Sequence, residues 1–302
     1  MDISYRAPKF AHPFSRHTVI IFTSLTDLRA ALADHRAAGR RVGLVPTMGF
    51  LHAGHMSLVE YARAHSDVVV MTIFVNPTQF APTEDLAKYP RDIPRDTAMA
   101  EKAGVDILFV PAVDEIYPAG FDTFVMPGAQ GSILEGAIRP THFRGVLTVV
   151  AKLFNMILPD VAVFGQKDFQ QALLLRKMAR DLNFAVDVLI APIVREADGL
   201  AMSSRNVYLS PDERAQARVL SASLAEALHR IADGERSAAQ LEQAIRTHIM
   251  SAPAAAIDYI AIAAADTLAP VEQLEPGRTA VIALAVRIGK TRLLDNILVE
   301  NL

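Results

Sequence analysis

The chain contains no cysteine, and that absence excludes disulfides, thiolate nucleophiles and any cysteine-built zinc site. An excess of positive charge is missing too: 30 Lys and Arg against 33 Asp and Glu leave a net charge of -3. A nucleic-acid-binding surface would normally show as a basic excess, so no nucleic-acid partner is expected. No apolar run is long enough to span a bilayer, which argues against a membrane partner. The first 17 residues, with Arg6, Lys9, Arg16 and two prolines, have no apolar centre and read as a flexible leader, residues 1–17, rather than a signal peptide. A cytoplasmic location fits this set of absences.

Two nucleotide signatures are also missing. Gly289-Lys290-Thr291 looks like the end of a P-loop, but Leu284 occupies the place of the required first glycine, and the segment reads as strand. No Gly-x-Gly-x-x-Gly turn follows any expected strand, which disfavours NAD or FAD.

What is present is an ordinary globular composition, 51% hydrophobic and 21% charged over 302 residues, enough for a large core and two domains. From residue 18 to 193 strand and helix alternate. Expected strands are Val19 to Phe22, Val42 to Val45, Asp67 to Val75, Asp106 to Val110, Val161 to Phe164 and Val186 to Ile190. Expected helices are Ser24 to Ala38, one following His55, Pro94 to Ala103, Val146 to Leu158 and Phe169 to Leu182. This alternation predicts an α/β fold, a Rossmann-like doubly wound parallel sheet. Residues 194–302 read as a smaller C-terminal α+β domain, a lid or dimerisation unit. There Ser210-Pro211-Asp212-Glu213 opens a helix running to about Ala232, Ser237 caps another, and strands lie at Ala256 to Ala263, Thr279 to Val286 and Leu293 to Val299.

In a doubly wound sheet, ligands bind outside the carboxyl ends of the strands. Pro46-Thr47-Met48-Gly49-Phe50-Leu51-His52-Ala53-Gly54-His55 lies at such an end, where a buried strand becomes a helix. A helix N-terminus with two imidazoles beside it suits an anion, phosphate above all. Tight-turn glycines with capped histidines are the plain alternative, and zinc would need a third, remote ligand.

Four further patches are unusually polar. Asn76-Pro77-Thr78-Gln79 follows a buried strand, as a ligand pocket or as an Asn-Pro turn. Glu135 to Gly145, with Arg139, His142 and Arg144, is an anion clamp or a charged loop. Gly165-Gln166-Lys167-Asp168 repeats the strand-to-helix geometry, with Asp168 as a ribose acceptor or only an N-cap. Arg195 to Asn206 places Ser203, Ser204 and Arg205 at the domain junction, as a phosphate-binding loop or a linker.

Taken in order, these motifs resemble the pantothenate synthetase (pantoate beta-alanine ligase) family, within the nucleotidyltransferases that share His-x-Gly-His. The resemblance runs from about residue 19 to the C-terminus and is dense up to Leu209. It implies ATP-dependent condensation of pantoate with beta-alanine through a pantoyl adenylate. Carried over by position, His55, His52, Lys167 and Arg205 are the catalytic candidates, with His55 in the role usually given to a proton donor. Met48, Gly49, His52, Gly54, His55, Gly165, Lys167, Asp168, Val194, Met202, Ser203, Ser204 and Arg205 would bind ATP. Gln79, Gln171 and Asn76 would bind pantoate and beta-alanine, and Glu135 and Arg139 match less securely placed pocket residues. Magnesium on the phosphates and a homodimer are further implications; no protein metal ligand is assigned, with Asp96 a weak candidate. The sequence departs from the family pattern at Gln166, where glutamate is common, and at Thr141, where glycine is usual before His142-Phe143. Another adenylyl or cytidylyl transferase with a different acceptor is the alternative.

Overall fold

The computed structural model describes residues 18–80 and 86–300, so the expected leader at 1–17 lies outside the described residues. The larger part is a parallel six-stranded sheet in the order β1-β4-β3-β2-β5-β6. Its strands are β1 (Ile20–Phe22), β2 (Val42–Thr47), β3 (Val68–Ile73), β4 (Ile107–Phe109), β5 (Val161–Gly165) and β6 (Asp187–Ala191). All six residues of β3 are buried, as a strand covered by helices on both faces requires. The covering helices are α1 (Leu25–Ala37), α2 (Ala53–Arg63), α3 (Ile93–Lys102), α4 (Val113–Ile116), α5 (Glu135–Ile138), α6 (His142–Ile157) and α7 (Phe169–Asp181).

The two rims of this sheet are built differently. At the amino rim three aspartates terminate neighbouring strands: Asp67 Oδ2 accepts from Arg41 N–H at 2.8 Å, Asp160 Oδ2 from Val42 N–H at 2.7 Å and Asp106 Oδ2 from Val69 N–H at 2.7 Å. The carboxyl rim carries the polar patches. Strand order reverses between β2 and β5, which are adjacent although β3 and β4 intervene in sequence. That switch point is where a doubly wound sheet opens a crevice for ligand.

Twelve residues of α6 are buried, so it is a core helix rather than a surface one. It begins at His142, four residues before the expected start at Val146. Gly145 lowers helix propensity in the sequence, but in the fold a Cβ there would lie 2.3 Å from the Thr78 carbonyl oxygen, so close packing against Asn76–Gln79 selects glycine. The Glu135 to Gly145 patch is therefore two helical segments, α5 and the start of α6, joined by a turn at residues 139–141.

The C-terminal part has α8 (Pro211–Ala217), α9 (Val219–Ala232), α10 (Ala238–Ile249) and an antiparallel sheet β7-β8-β9 (Ala255–Ala264, Ala280–Ile288, Thr291–Val299). Ser210 and Glu213 close the expected capping box. The single helix expected to Ala232 is interrupted at Arg218, whose carbonyl accepts from both Ser221 Oγ at 3.2 Å and Ala222 N–H at 3.1 Å. Gly289-Lys290 is not strand but the turn of the β8-β9 hairpin, with Gly289 at φ +56°. This part has its own core around Leu220, Leu241, Ile282 and Val286. A small cluster of Phe169 with Ala263, Leu268 and Val281 seats its sheet on the start of α7.

Candidate active site

The crevice is flanked by two strand-to-helix turns, one from β2 into α2 and one from β5 into α7. In the first, Gly49 (φ +82°) and Phe50 (φ +51°) turn the chain through left-handed conformations. A Cβ at Gly49 would lie 2.9 Å from Ile73 and 3.0 Å from an Asp96 oxygen, so the position accepts glycine on two counts. Asp96, fully buried in the first turn of α3, accepts from Phe50 N–H at 2.7 Å and Leu51 N–H at 2.8 Å. Arg95 donates to the Leu51 carbonyl at 2.9 Å and lies over the Phe50 ring. The suggestion that Asp96 serves magnesium is corrected here: its oxygens are occupied by the loop it anchors.

His52 is the N-cap of α2, and its backbone N–H donates to His55 Nδ1 at 3.2 Å. That bond requires an unprotonated Nδ1, so the neutral His55 ring carries its proton on Nε2 as a donor. The two rings lie 4.0 Å apart by centroid. A Cβ at Gly54 would come within 2.9 Å of the His52 ring, so this glycine makes room for the imidazole. Burial, with Lys167 and Arg95 nearby, lowers the His52 pKa to about 4; burial and the neighbouring His52 lower that of His55 to about 3. Both rings are therefore neutral near pH 7. They offer N–H donors to an anion without the cost of holding a buried cation.

At the second turn, Lys167 Nζ stands 3.8 Å from Asp168 Oδ1. Burial would raise the Asp168 carboxyl, but Lys167, Arg205 and His142 outweigh it and hold the group below the usual carboxylate range. Gly165 closes β5 directly before this turn. The same electrostatic neighbourhood contains His55, which is influenced by both Asp168 and Lys167. Met202 reaches the other side, its Cβ 3.5 Å from where a Gly54 Cβ would be. Ser203 caps the short 3-10 turn Ser204–Tyr208, and Arg205 is exposed on it. The structure thus brings His52, His55, Lys167, Asp168 and Arg205 to one crevice. The carbonyl of Val194 accepts from Met202 N–H at 2.9 Å, so that group is occupied within the chain.

Asn76 and Gln79 form the third wall. Asn76 is buried, donates to Gln79 Oε1 at 3.1 Å and to the Gly145 carbonyl at 3.2 Å, and accepts from Tyr117 Oη at 2.8 Å. Gln79 Nε2 points at Met48 Sδ, 2.7 Å away, which joins this wall to the α2 turn. Gln171, partly buried, lies one turn inside α7. Glu135 and Arg139 part company. Glu135 is held by Arg292 through two 2.6 Å bonds, whereas Arg139 donates to the Gln79 carbonyl at 3.4 Å.

Sequence reading missed Tyr117 and Tyr89. The Tyr89 phenol hydrogen-bonds Ser204 across the crevice, and burial raises its pKa. The run Tyr89-Pro90-Arg91 was the available signal, but nothing in it marks a contact with a serine 115 positions later.

Three comparisons bear on this site. The family model described as pantoate-beta-alanine ligase matches residues 20–298. The pantothenate synthetase of Moorella thermoacetica is 52% identical over 280 residues, covering 93% of this chain and 98% of the relative. That of Heliobacterium modesticaldum is 54% identical over 280 residues, covering 93% and 99%. Among solved structures, the pantothenate synthetase of Thermus thermophilus superposes with a TM-score of 0.86 at 45% identity, covering 92% of this chain and 99% of that one. The pantoate-beta-alanine ligase of Francisella tularensis, solved in complex with beta-gamma ATP and beta-alanine, superposes with a TM-score of 0.73 at 32% identity, covering 93% and 97%.

Proposed function

This chain belongs to the pantoate-beta-alanine ligase family, and from that premise we propose that it joins pantoate to beta-alanine with ATP, releasing pyrophosphate and then AMP. The observation that carries the reading is the meeting of the neutral His52/His55 pair, Lys167 and the Ser203–Arg205 loop at the β2/β5 switch point, beside the amide wall of Asn76 and Gln79.

In the first step a pantoate carboxylate oxygen attacks the α-phosphorus, and the bond from phosphorus to pyrophosphate breaks. The carboxylate is ionised near neutral pH, so the step needs alignment and charge relief rather than a base. His55 Nε2–H, His52, Lys167, Ser203, Ser204 and Arg205 supply donors to the phosphate oxygens. Oriented donors of this kind contribute about 2.7 to 4 kcal/mol each to a transition state. Asp168, kept ionised, accepts from ribose hydroxyls, and Gln79, Asn76 and Gln171 orient pantoate. In the second step the neutral amine of beta-alanine attacks the acyl carbon, the bond to AMP breaks, and the amine loses a proton.

Magnesium fits as an ion carried by the triphosphate. Among the described residues no group of three His, Asp or Glu side chains is arranged to hold a metal, and Asp96 is occupied. When bound, the ion would neutralise charge on the phosphates. Residues 194–302 supply the serine loop, in keeping with a lid or dimerisation role. A cytoplasmic homodimer completes the reading; among the described residues no helix is long and apolar enough to cross a membrane.

The test is pyrophosphate release from ATP with pantoate alone, followed by AMP release on adding beta-alanine. Release that needs a different acid, or no release, sinks the reading.

A further inference from the structure

Besides the histidine turn, the candidate phosphate donors sit on two further segments, the turn Gln166–Asp168 and the loop Ser203–Arg205. They are tied to adjacent residues of β9, the turn to Asn296 and the loop, through Arg195, to Asp295. Asn296, 3% exposed, donates through Nδ2 to the carbonyls of Gln166 at 2.9 Å and Lys167 at 3.1 Å, and its Oδ1 accepts from Gln166 Nε2 at 3.1 Å. Two carbonyls on one side and an amide N–H on the other fix which way this amide faces. Asp295, 2% exposed, takes Arg195 in a two-pronged ion pair at 2.7 and 2.9 Å. Arg195 also donates to the Gly199 carbonyl at 3.1 Å and pairs by backbone with Ala201, closing the hairpin that runs into Met202 and Ser203.

Such burial of polar groups needs a reason, because β9 could have met the large sheet with apolar side chains, as the Phe169 cluster does alongside. Directional bonds fix distance and angle where apolar contact fixes only proximity. Lys167 has its carbonyl pinned by Asn296, while its ammonium stands 3.8 Å from Asp168 and acts electrostatically on His52 and His55.

We infer that Asp295 and Asn296 are positioning residues that set the spacing between the Lys167 turn and the serine loop, making β9 the brace that gauges the nucleotide phosphates. This rests on the nucleotide-binding reading of the crevice, not on which acid is activated. Both side chains are spent on bonds within the chain.

The test uses the full-length chain and the analogue α,β-methylene-ATP. Calorimetric titration of Asn296→Ala is expected to show binding weakened about tenfold, corresponding to roughly 1.4 kcal/mol. The KM for pantoate at saturating ATP should stay within about twofold, and the circular dichroism spectrum should match the parent, since only the nucleotide turn loses its tether. Should Asn296→Ala fail to fold, Asp295→Asn carries the test, with analogue binding expected to fall about threefold or more at an unchanged pantoate KM. Unchanged analogue affinity, or an equal rise in both constants, overturns the inference. A parent that does not bind the analogue overturns it together with the nucleotide reading. A parent that binds the analogue but shows no pantoate-dependent pyrophosphate release removes pantoate alone and leaves the brace standing.

Discussion

The two rims of the parallel sheet put their polar residues to opposite uses. At the amino rim Asp67, Asp106 and Asp160 each accept a backbone N–H from a neighbouring strand, so their charge is satisfied inside the fold. Across the sheet, the basic groups Lys167, His52, His55 and Arg205 gather around Asp168 at the carboxyl rim. A carboxylate that meets backbone donors stabilises the chain; a donor that meets few protein acceptors is kept for something that arrives. Asp96 is the informative exception. It lies on the crevice side, yet it behaves like the amino-rim aspartates, fastening Phe50 and Leu51 so that the histidine turn keeps its shape.

The strongest way to break this comparison is a reciprocal pair of substitutions. Lys167→Ala is expected to slow single-turnover adenylation about a hundredfold while unfolding stability moves by less than about 1 kcal/mol. Asp106→Ala is expected to do the reverse, lowering stability by about 2 kcal/mol in urea unfolding and leaving adenylation nearly unchanged. If both variants lost rate and stability together, the division of labour between the rims would be wrong.

Asp96→Ala sharpens the exception. Two buried N–H groups lose a charged acceptor, so stability should fall by about 3 kcal/mol, and adenylation should fall with it because the α2 turn loosens. A variant with full rate and lowered stability would move Asp96 into the purely structural class.

The smallest effect concerns protons. The folded pKa values of His52, about 4, and His55, about 3, lie below the ordinary 6.5. Imidazole NMR shifts of both rings should stay flat from pH 8 to 5. As pH falls below 6.5 the unfolded chain takes up protons first, so the stability these rings contribute is complete above that pH and drains away toward pH 4 and then 3. A midpoint near 6.5 at either ring would show that burial and the neighbouring groups leave it an ordinary imidazole, partly charged below neutral pH, rather than one held neutral down to pH 5.

Much of this was legible before the fold was known. Alternating apolar runs placed the sheet and its carboxyl ends, and the glycines around His52 pointed to a crowded turn. Contacts between distant positions were not legible. Glu135 reads as a loosely placed pocket residue until Arg292 arrives 157 positions later to occupy both oxygens. Asp96 reads as a stray carboxylate until α3 carries it back under Leu51, 45 positions upstream. Asp295 and Asn296 sit in a strand whose local pattern says only that it is buried on one face. Local periodicity reports which side of an element is covered, and says nothing of which polar group will be met there.

Gly145 has a practical consequence for altering which acid the crevice accepts. Helix α6 presses its bare backbone on the Thr78 carbonyl, so one wall of the Asn76–Gln79 recess is main chain with no side chain to trim or enlarge. Libraries aimed at a wider acceptor range should leave position 145 untouched and diversify Met48 and Gln79, whose side chains meet there and can be exchanged.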